Sequence, residues 1–240
     1  ILAIPTTSGS GSEATHFAVM YQGVLKYSIA NERIRPNHVI VDPALTYSMP
    51  PYLTACSGMD ALCQAIESLW ARGGTDESKQ HATTALELIV PAIEAAVTRP
   101  DPQARRAMAL GAHHAGQAID ISKTTGPHAF SYHLTRNYGV PHGEAVAMTM
   151  EAFMTFNYPY LDREVVGILH KVFRVESVDQ LLDGFAALKM RIGLRPTPFA
   201  AGVTTDEEWK TYISSVNMER LSNNPVVVDT ESFRGFFGHH

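Results

Sequence analysis

Residues 50–74 read Pro50-Pro51-Tyr52-Leu53-Thr54-Ala55-Cys56-Ser57-Gly58-Met59-Asp60-Ala61-Leu62-Cys63-Gln64-Ala65-Ile66-Glu67-Ser68-Leu69-Trp70-Ala71-Arg72-Gly73-Gly74. Leu53, Met59, Leu62, Cys63, Ile66, Leu69 and Trp70 recur near the helical period between a Pro-Pro start and a Gly-Gly stop, which predicts a helix over 52–71. Upstream, the short apolar runs 17–21 and 39–41 are bounded by Gly, Pro and Asn and read as buried strands. Downstream the pattern stays helical. One helix is expected over 76–98, kinked or broken at Pro91, whose ring cannot continue the ladder. Another starts at Asp101-Pro102, a cap followed by a helix-starting proline, and runs to about Ile119. Further helices are expected over about 127–136 and from His142, and Thr205-Asp206-Glu207-Glu208 has the form of a capping-type start. These elements read as a β-rich fragment, residues 1–46, followed by an all-α domain, residues 47–238. His239-His240 reads as a tag.

Composition narrows the function. The chain has 240 residues, 45% of them apolar and 18% charged, an ordinary globular balance for one or two domains. The net charge is −5 with no basic block, which argues against a nucleic-acid module. No apolar run is long enough to span a bilayer. Cys56 and Cys63 are the two cysteines, too few for a disulfide scaffold, and a reducing cytoplasm is the expected setting. Ile1-Leu2-Ala3-Ile4-Pro5 is an apolar, strand-like opening without signal-peptide form, so the chain is expected to begin inside a domain. Histidine is abundant, with 11 copies, and His128, His133 and His142 crowd together.

Three segments carry polar groups suited to chemistry. Thr6-Thr7-Ser8-Gly9-Ser10-Gly11-Ser12-Glu13-Ala14-Thr15 offers many N–H and O–H donors for phosphate or ribose oxygens, or is a solvated linker. In the helix over 52–71, Asp60 and Gln64 share a face, and a carboxylate among apolar neighbours needs a partner. A metal ion answers that need; so does an N-cap role, since Ser57-Gly58 precedes Asp60. His128 and His142 open successive helices, where two imidazoles can converge on one ion, and histidine with carboxylate suits Zn²⁺ or Fe²⁺.

These segments occur in one order: the Thr-Thr-Ser-Gly-Ser-Gly-Ser-Glu loop, Asp42-Pro43 before Leu45, Gly58-Met59-Asp60-Ala61-Leu62, and His128 followed after thirteen residues by His142-Gly143. Together with Arg220-Leu221-Ser222-Asn223-Asn224-Pro225 near the end, the pattern resembles the iron-containing (group III) alcohol dehydrogenase family across nearly the whole chain. The resemblance implies the dehydroquinate synthase-like fold of that family, a dinucleotide-binding domain followed by a helical one with the metal between them. On that template the chain corresponds to the C-terminal two-thirds, with residues 1–46 as an α/β remnant of the dinucleotide-binding domain and residues 47–238 as the all-α domain, and the Gly-Gly-Gly-Ser pyrophosphate loop is not found.

Residue by residue, the resemblance implies metal ligation by Asp60, His128 and His142, with Gln64 where the family usually places a fourth ligand, a histidine. A Gln carbonyl is a neutral and weaker ligand for a borderline metal. Tyr132 stands where many members carry a further active-site histidine, and His133 points roughly 100° away around the helix. Thr6, Thr7, Ser10, Lys26 and Leu45 match cofactor-contacting positions. The implied cofactors are NAD(P)H and a divalent metal, Fe²⁺ or Zn²⁺, and the implied assembly is a homodimer acting on a small aldehyde or alcohol.

The stretches Ser57–Ser68 and Lys123–Tyr132 look most like the phosphonoacetaldehyde reductase branch, which implies reduction of phosphonoacetaldehyde to 2-hydroxyethylphosphonate. The phosphonate would need a cation, for which Lys123 and Arg136 are candidates, although both also read as solvated charges. The alternatives are a 1,3-propanediol-type or lactaldehyde-type branch, or a metal-binding fragment that does not turn over.

Overall fold

The computed structural model describes residues 1–22, 25–216 and 218–228, with the side chains of 21, 22 and 25–28 outside the described set. The tag reading of His239-His240 falls outside the described residues. Two small sheets come first. Strand β1 (Leu2–Ala3) pairs in parallel with β4 (His38–Val39), and β2 (Phe17–Gln22) pairs antiparallel with β3 (Leu25–Ala30). The expectation of buried strands fails here. Leu2 is 56% exposed, Val19 54%, Met20 51% and Ile40 50%. Each sheet has two strands, and among the described residues nothing covers these faces, so apolar composition did not translate into burial.

Ten helices follow among the described residues: α1 (Pro51–Trp70), α2 (Asp76–Ile89), α3 (Ile93–Thr98), α4 (Pro102–Ser122), α5 (Gly126–Tyr138), α6 (His142–Asn157), α7 (Arg163–Phe173), α8 (Val178–Arg191), α9 (Asp206–Ser214) and α10 (Met218–Leu221). Their ends obey local chemistry. Pro91 separates α2 from α3 as expected. The Asp101 carboxylate accepts the Ala104 N–H at 2.8 Å, and Thr205 and Glu208 form the anticipated capping box at α9.

Helix α1 is the axis of the domain. It packs on α2, α3, α4 and α6, and from Thr54 onward nearly every residue is buried. A helix enclosed on all sides should be apolar all round. This one nevertheless buries Asp60, Gln64 and Glu67 on a single stripe, four and three residues apart. The N-cap reading of Asp60 is thereby corrected: Asp60 lies in the middle of α1, whose N-cap position is Pro50. Cys56 and Cys63 are both free thiols inside the same helix. No described helix is long and apolar enough to cross a membrane.

The C-terminal segment is pinned back across the helices. Asn224 and Asn157 exchange two buried amide hydrogen bonds at 3.0 and 2.8 Å. Asn223 donates to the Ser122 and Thr124 carbonyls and accepts the Gly73 N–H. These bonds place Arg220, on α10, beside the loop that joins α4 to α5.

Candidate metal centre

The polar stripe of α1 meets the starts of α5 and α6. His128 Nε2 lies 3.3 Å from Asp60 Oδ1, and His142 Nε2 lies 3.7 Å from the same oxygen. One ligand atom from each of the three falls within 4.8 Å of the others, the separation expected of donors around one ion with bonds near 2.1 Å. The close approach of α6 to α1 depends on Gly143. A Cβ there would sit 2.0 Å from the Cys56 carbonyl oxygen and 2.8 Å from Asp60 Cβ. Glu144, next along, is buried and accepts from Arg195 at 2.6 Å and from Tyr52 at 2.6 Å, which fixes the α6 start.

Behind the site stands Glu67, fully buried. Its Oε2 takes a short hydrogen bond from His128 Nδ1, and its Oε1 accepts from the Thr125 N–H at 2.8 Å and the Thr125 hydroxyl at 3.0 Å. No side chain of its own caps α5, so a carboxylate from α1 does that work and complements the helix dipole. With Nδ1–H committed to Glu67, the Nε2 lone pair of a neutral His128 faces the Asp60 carboxylate. Two acceptors at 3.3 Å require a positive charge between them, either a proton or a metal ion. Without a metal the proton is held tightly. Burial lowers the His128 pKa, but the Glu67 charge and the hydrogen bonds to Asp60 and Glu67 outweigh it and push it up to about 9. A metal-ligating imidazole whose other nitrogen donates to a carboxylate is the usual outer arrangement of such sites. The residues present therefore fit a divalent cation.

A cavity of about 430 Å³ opens onto this centre. Gln64 lines it; its Nε2 donates to the Ser10 carbonyl at 3.3 Å, and its buried Oε1 has no hydrogen-bond partner among the described residues. Tyr132 also lines it, with its ring nearly parallel to that of His142 at 6.2 Å. His133 turns away to Asn137 and Ser215, at 2.9 and 2.8 Å.

The hydroxyl-rich loop belongs to the fold rather than to a solvated linker. Gly11 takes a positive φ of 60° and packs on α4 so closely that a Cβ on Gly116 would meet the Gly11 oxygen at 2.4 Å. Glu13 reaches His113 at 3.1 Å, and the His16 N–H donates to Asp120 at 2.8 Å. Ser10 lines the cavity, whereas Thr6 and Thr7 are exposed on the same loop outside the lining. Leu45 is 43% exposed on a short turn, capped by the Asp42 carboxylate, and also stands apart from the lining. Lys26 belongs to β3, and its side chain is outside the described residues. Lys123 and Arg136 are both exposed and neither lines the cavity.

Two residues escaped the sequence reading. Glu67 carried a signal, because it stands two helical turns from Asp60 on a buried stripe. Arg220 entered only as part of the C-terminal segment of the family pattern, with nothing in the sequence to bring it to the site; it lines the cavity from a distant part of the chain.

Residues 54–233 match the C-terminal domain of the Fe-containing alcohol dehydrogenase family, and residues 1–43 match the iron-containing alcohol dehydrogenase family. The chain belongs to the iron-containing alcohol dehydrogenase family. Among curated relatives, phosphonoacetaldehyde reductase of Streptomyces viridochromogenes is 31% identical over 99% of this chain and 63% of its own length. Long-chain-alcohol dehydrogenase 1 of Geobacillus thermodenitrificans is 36% identical over 65% of this chain and 40% of its own. Among solved structures, sulfoacetaldehyde reductase from Bifidobacterium kashiwanohense, in complex with NAD⁺, superimposes with a TM-score of 0.93 at 34% identity, covering 99% of this chain and 63% of that one. The chain thus spans less than two-thirds of the length of these relatives. The fold expected from the family resemblance is borne out.

Proposed function

We propose that this chain carries the metal- and substrate-binding part of an NAD(P)-dependent oxidoreductase that interconverts aldehydes and primary alcohols. The observation that carries the reading is the convergence of Asp60, His128 and His142, with Glu67 orienting His128 from behind. Asp60, His128 and His142 would hold the divalent metal, with the Gln64 carbonyl oxygen at hand, and when bound it supplies Lewis-acid polarisation of a carbonyl or alkoxide oxygen. The dinucleotide supplies or accepts the hydride. The chain's own residues arrange the rest. Asp60 contributes the negative charge that retains a cation in a buried place. Glu67 keeps His128 in the tautomer whose Nε2 lone pair faces the cavity. The Tyr132 ring walls the cavity against His142, and Ser10 brings the hydroxyl-rich loop, the proposed cofactor contact, to its edge.

Gln64 favours a harder donor set than three histidines would give, so Fe²⁺ gains on Zn²⁺ relative to the usual ligand set. As substrate we infer a short aldehyde carrying an acid group, phosphonoacetaldehyde in the first instance; the full-length relatives named for phosphonoacetaldehyde and sulfoacetaldehyde support it. The alternative is an uncharged short aldehyde of the 1,3-propanediol or lactaldehyde type.

The test is metal content by elemental analysis after loading with Fe²⁺ or Zn²⁺, for the wild type and Asp60→Ala, with NADH- and NADPH-linked aldehyde reduction assayed alongside. About one metal per chain, lost in the variant together with turnover, is expected. A folded wild-type protein that retains no metal overturns the reading.

A further inference from the structure

The cavity above the metal centre is lined by Asp60, His128 and His142 on the metal side and has polar walls of Ser10, Thr124 and Gln64. Among the described lining residues one permanent cation is present, Arg220. Its guanidinium carbon lies 5.5 Å from the centre of the Phe17 ring, and Nη1 donates to the Thr124 hydroxyl at 3.4 Å. The backbone beneath it is held by the Asn223 and Asn224 amides rather than left as a mobile tail.

We infer that Arg220 is the anchor for the acid group of the substrate, a phosphonate or sulfonate on a short aldehyde, with the Thr124 hydroxyl as a second donor. This rests on the oxidoreductase reading above and names the group that recognises the substrate's far end. Three features support it. Arg220 lines the same cavity as Asp60, His128 and His142, so the acid group of a short aldehyde can meet the guanidinium while its carbonyl end faces the metal centre. A guanidinium presents parallel N–H donors matched to two oxygens of a tetrahedral anion, which an ammonium does not. The Thr124 hydroxyl accepts from Arg220 and still has its own proton to donate. The two exposed residues suggested by sequence, Lys123 and Arg136, lack this placement.

The experiment uses the full chain with Arg220→Gln, Arg220→Lys and Thr124→Val. Binding of ethylphosphonate and ethanesulfonate is measured by calorimetric titration. The ratio of kcat/KM for phosphonoacetaldehyde to that for propanal is measured in parallel. Loss of a charge-assisted contact predicts about 10- to 100-fold weaker ethylphosphonate binding in Arg220→Gln. It also predicts a comparable fall in the kcat/KM ratio, carried by KM, with Arg220→Lys intermediate. Unchanged ethylphosphonate affinity in Arg220→Gln overturns the inference, and so does an equal loss towards both aldehydes, which marks a structural role. Should Arg220→Gln fail to fold by circular dichroism, Arg220→Lys and Thr124→Val decide the matter by the same ratio. If the wild type reduces neither aldehyde with either nicotinamide cofactor, the oxidoreductase reading falls, while the ethylphosphonate titration still decides for or against Arg220.

Discussion

Glu67 and His128 share a hydrogen bond that ties the middle of α1 to the first turn of α5. The same carboxylate satisfies the N–H and hydroxyl of Thr125, so one buried group both caps a helix and orients a candidate ligand. Glu67→Gln removes the charge but leaves an amide that can still reach these donors. The expected result is a 10- to 100-fold weaker metal affinity with a modest change in stability. Glu67→Ala instead leaves several buried donors unmet and is expected to cost about 3 kcal/mol or more in stability. Chelator competition and thermal unfolding, read on both variants, separate the two effects.

Gln64 provides a gain-of-affinity test. It shares the buried face of Asp60, and its Oε1 has no hydrogen-bond partner among the described residues. Gln64→His adds an imidazole one turn from Asp60, and Zn²⁺ affinity is expected to rise about tenfold or more. The loss of the 3.3 Å bond to the Ser10 carbonyl is a small offset. An unchanged Zn²⁺ affinity would mean that position 64 does not face the ion.

Gly143 sets the distance between His142 and Asp60. A methyl group there would press 2.0 Å from a backbone oxygen of α1, which cannot rotate out of the way. Gly143→Ala is expected to cost about 1–3 kcal/mol and to swing the His142 backbone outward. Thermal unfolding should show the first effect, and reduced metal content in the folded fraction the second.

How much of this was readable from sequence depended on range. Local rules foresaw the break at Pro91, the cap at Asp101 and the box at Thr205–Glu208, because each is decided within four residues. The two helix-starting imidazoles and the apolar-flanked Asp60 were visible in the sequence as a candidate ion site, but only the family resemblance joined all three into one ligand set, since helix periodicity places a side chain on a face without naming what meets it. Strand burial was misread because Val19, Met20 and Ile40 have strand-like composition, and composition does not report whether a second layer covers them. Arg220 was invisible as a cavity residue because its position follows from Asn223 bonding to a segment about a hundred residues earlier and from Asn224 bonding to Asn157.

Asp162 offers a pH test away from the metal centre. It caps α7 by accepting the Val165 N–H at 2.8 Å, and its second oxygen lies 3.4 Å from the Lys79 ammonium. The Val165 hydrogen bond, with the Lys79 charge, holds its carboxyl below the usual range despite slight burial. A carboxyl depressed in the folded state stabilises above its unfolded pKa, near 3.9, and that contribution disappears as pH falls through the folded value. Lys79 behaves in the opposite sense. Burial lowers its pKa, but Asp162 and Glu164 raise it overall, so its share is full below about 10.4 and is lost as pH climbs past the folded value. Asp162→Asn keeps a capping oxygen and loses only the charge. With the carboxylate 58% exposed, screening limits the difference to about 0.5 kcal/mol or less. The wild type should melt slightly higher than Asp162→Asn at pH 7, and the two curves should merge as the pH falls through the depressed folded-state value. A gap that does not narrow at all as the pH is lowered would show that the cap geometry, rather than the charge, separates the two proteins.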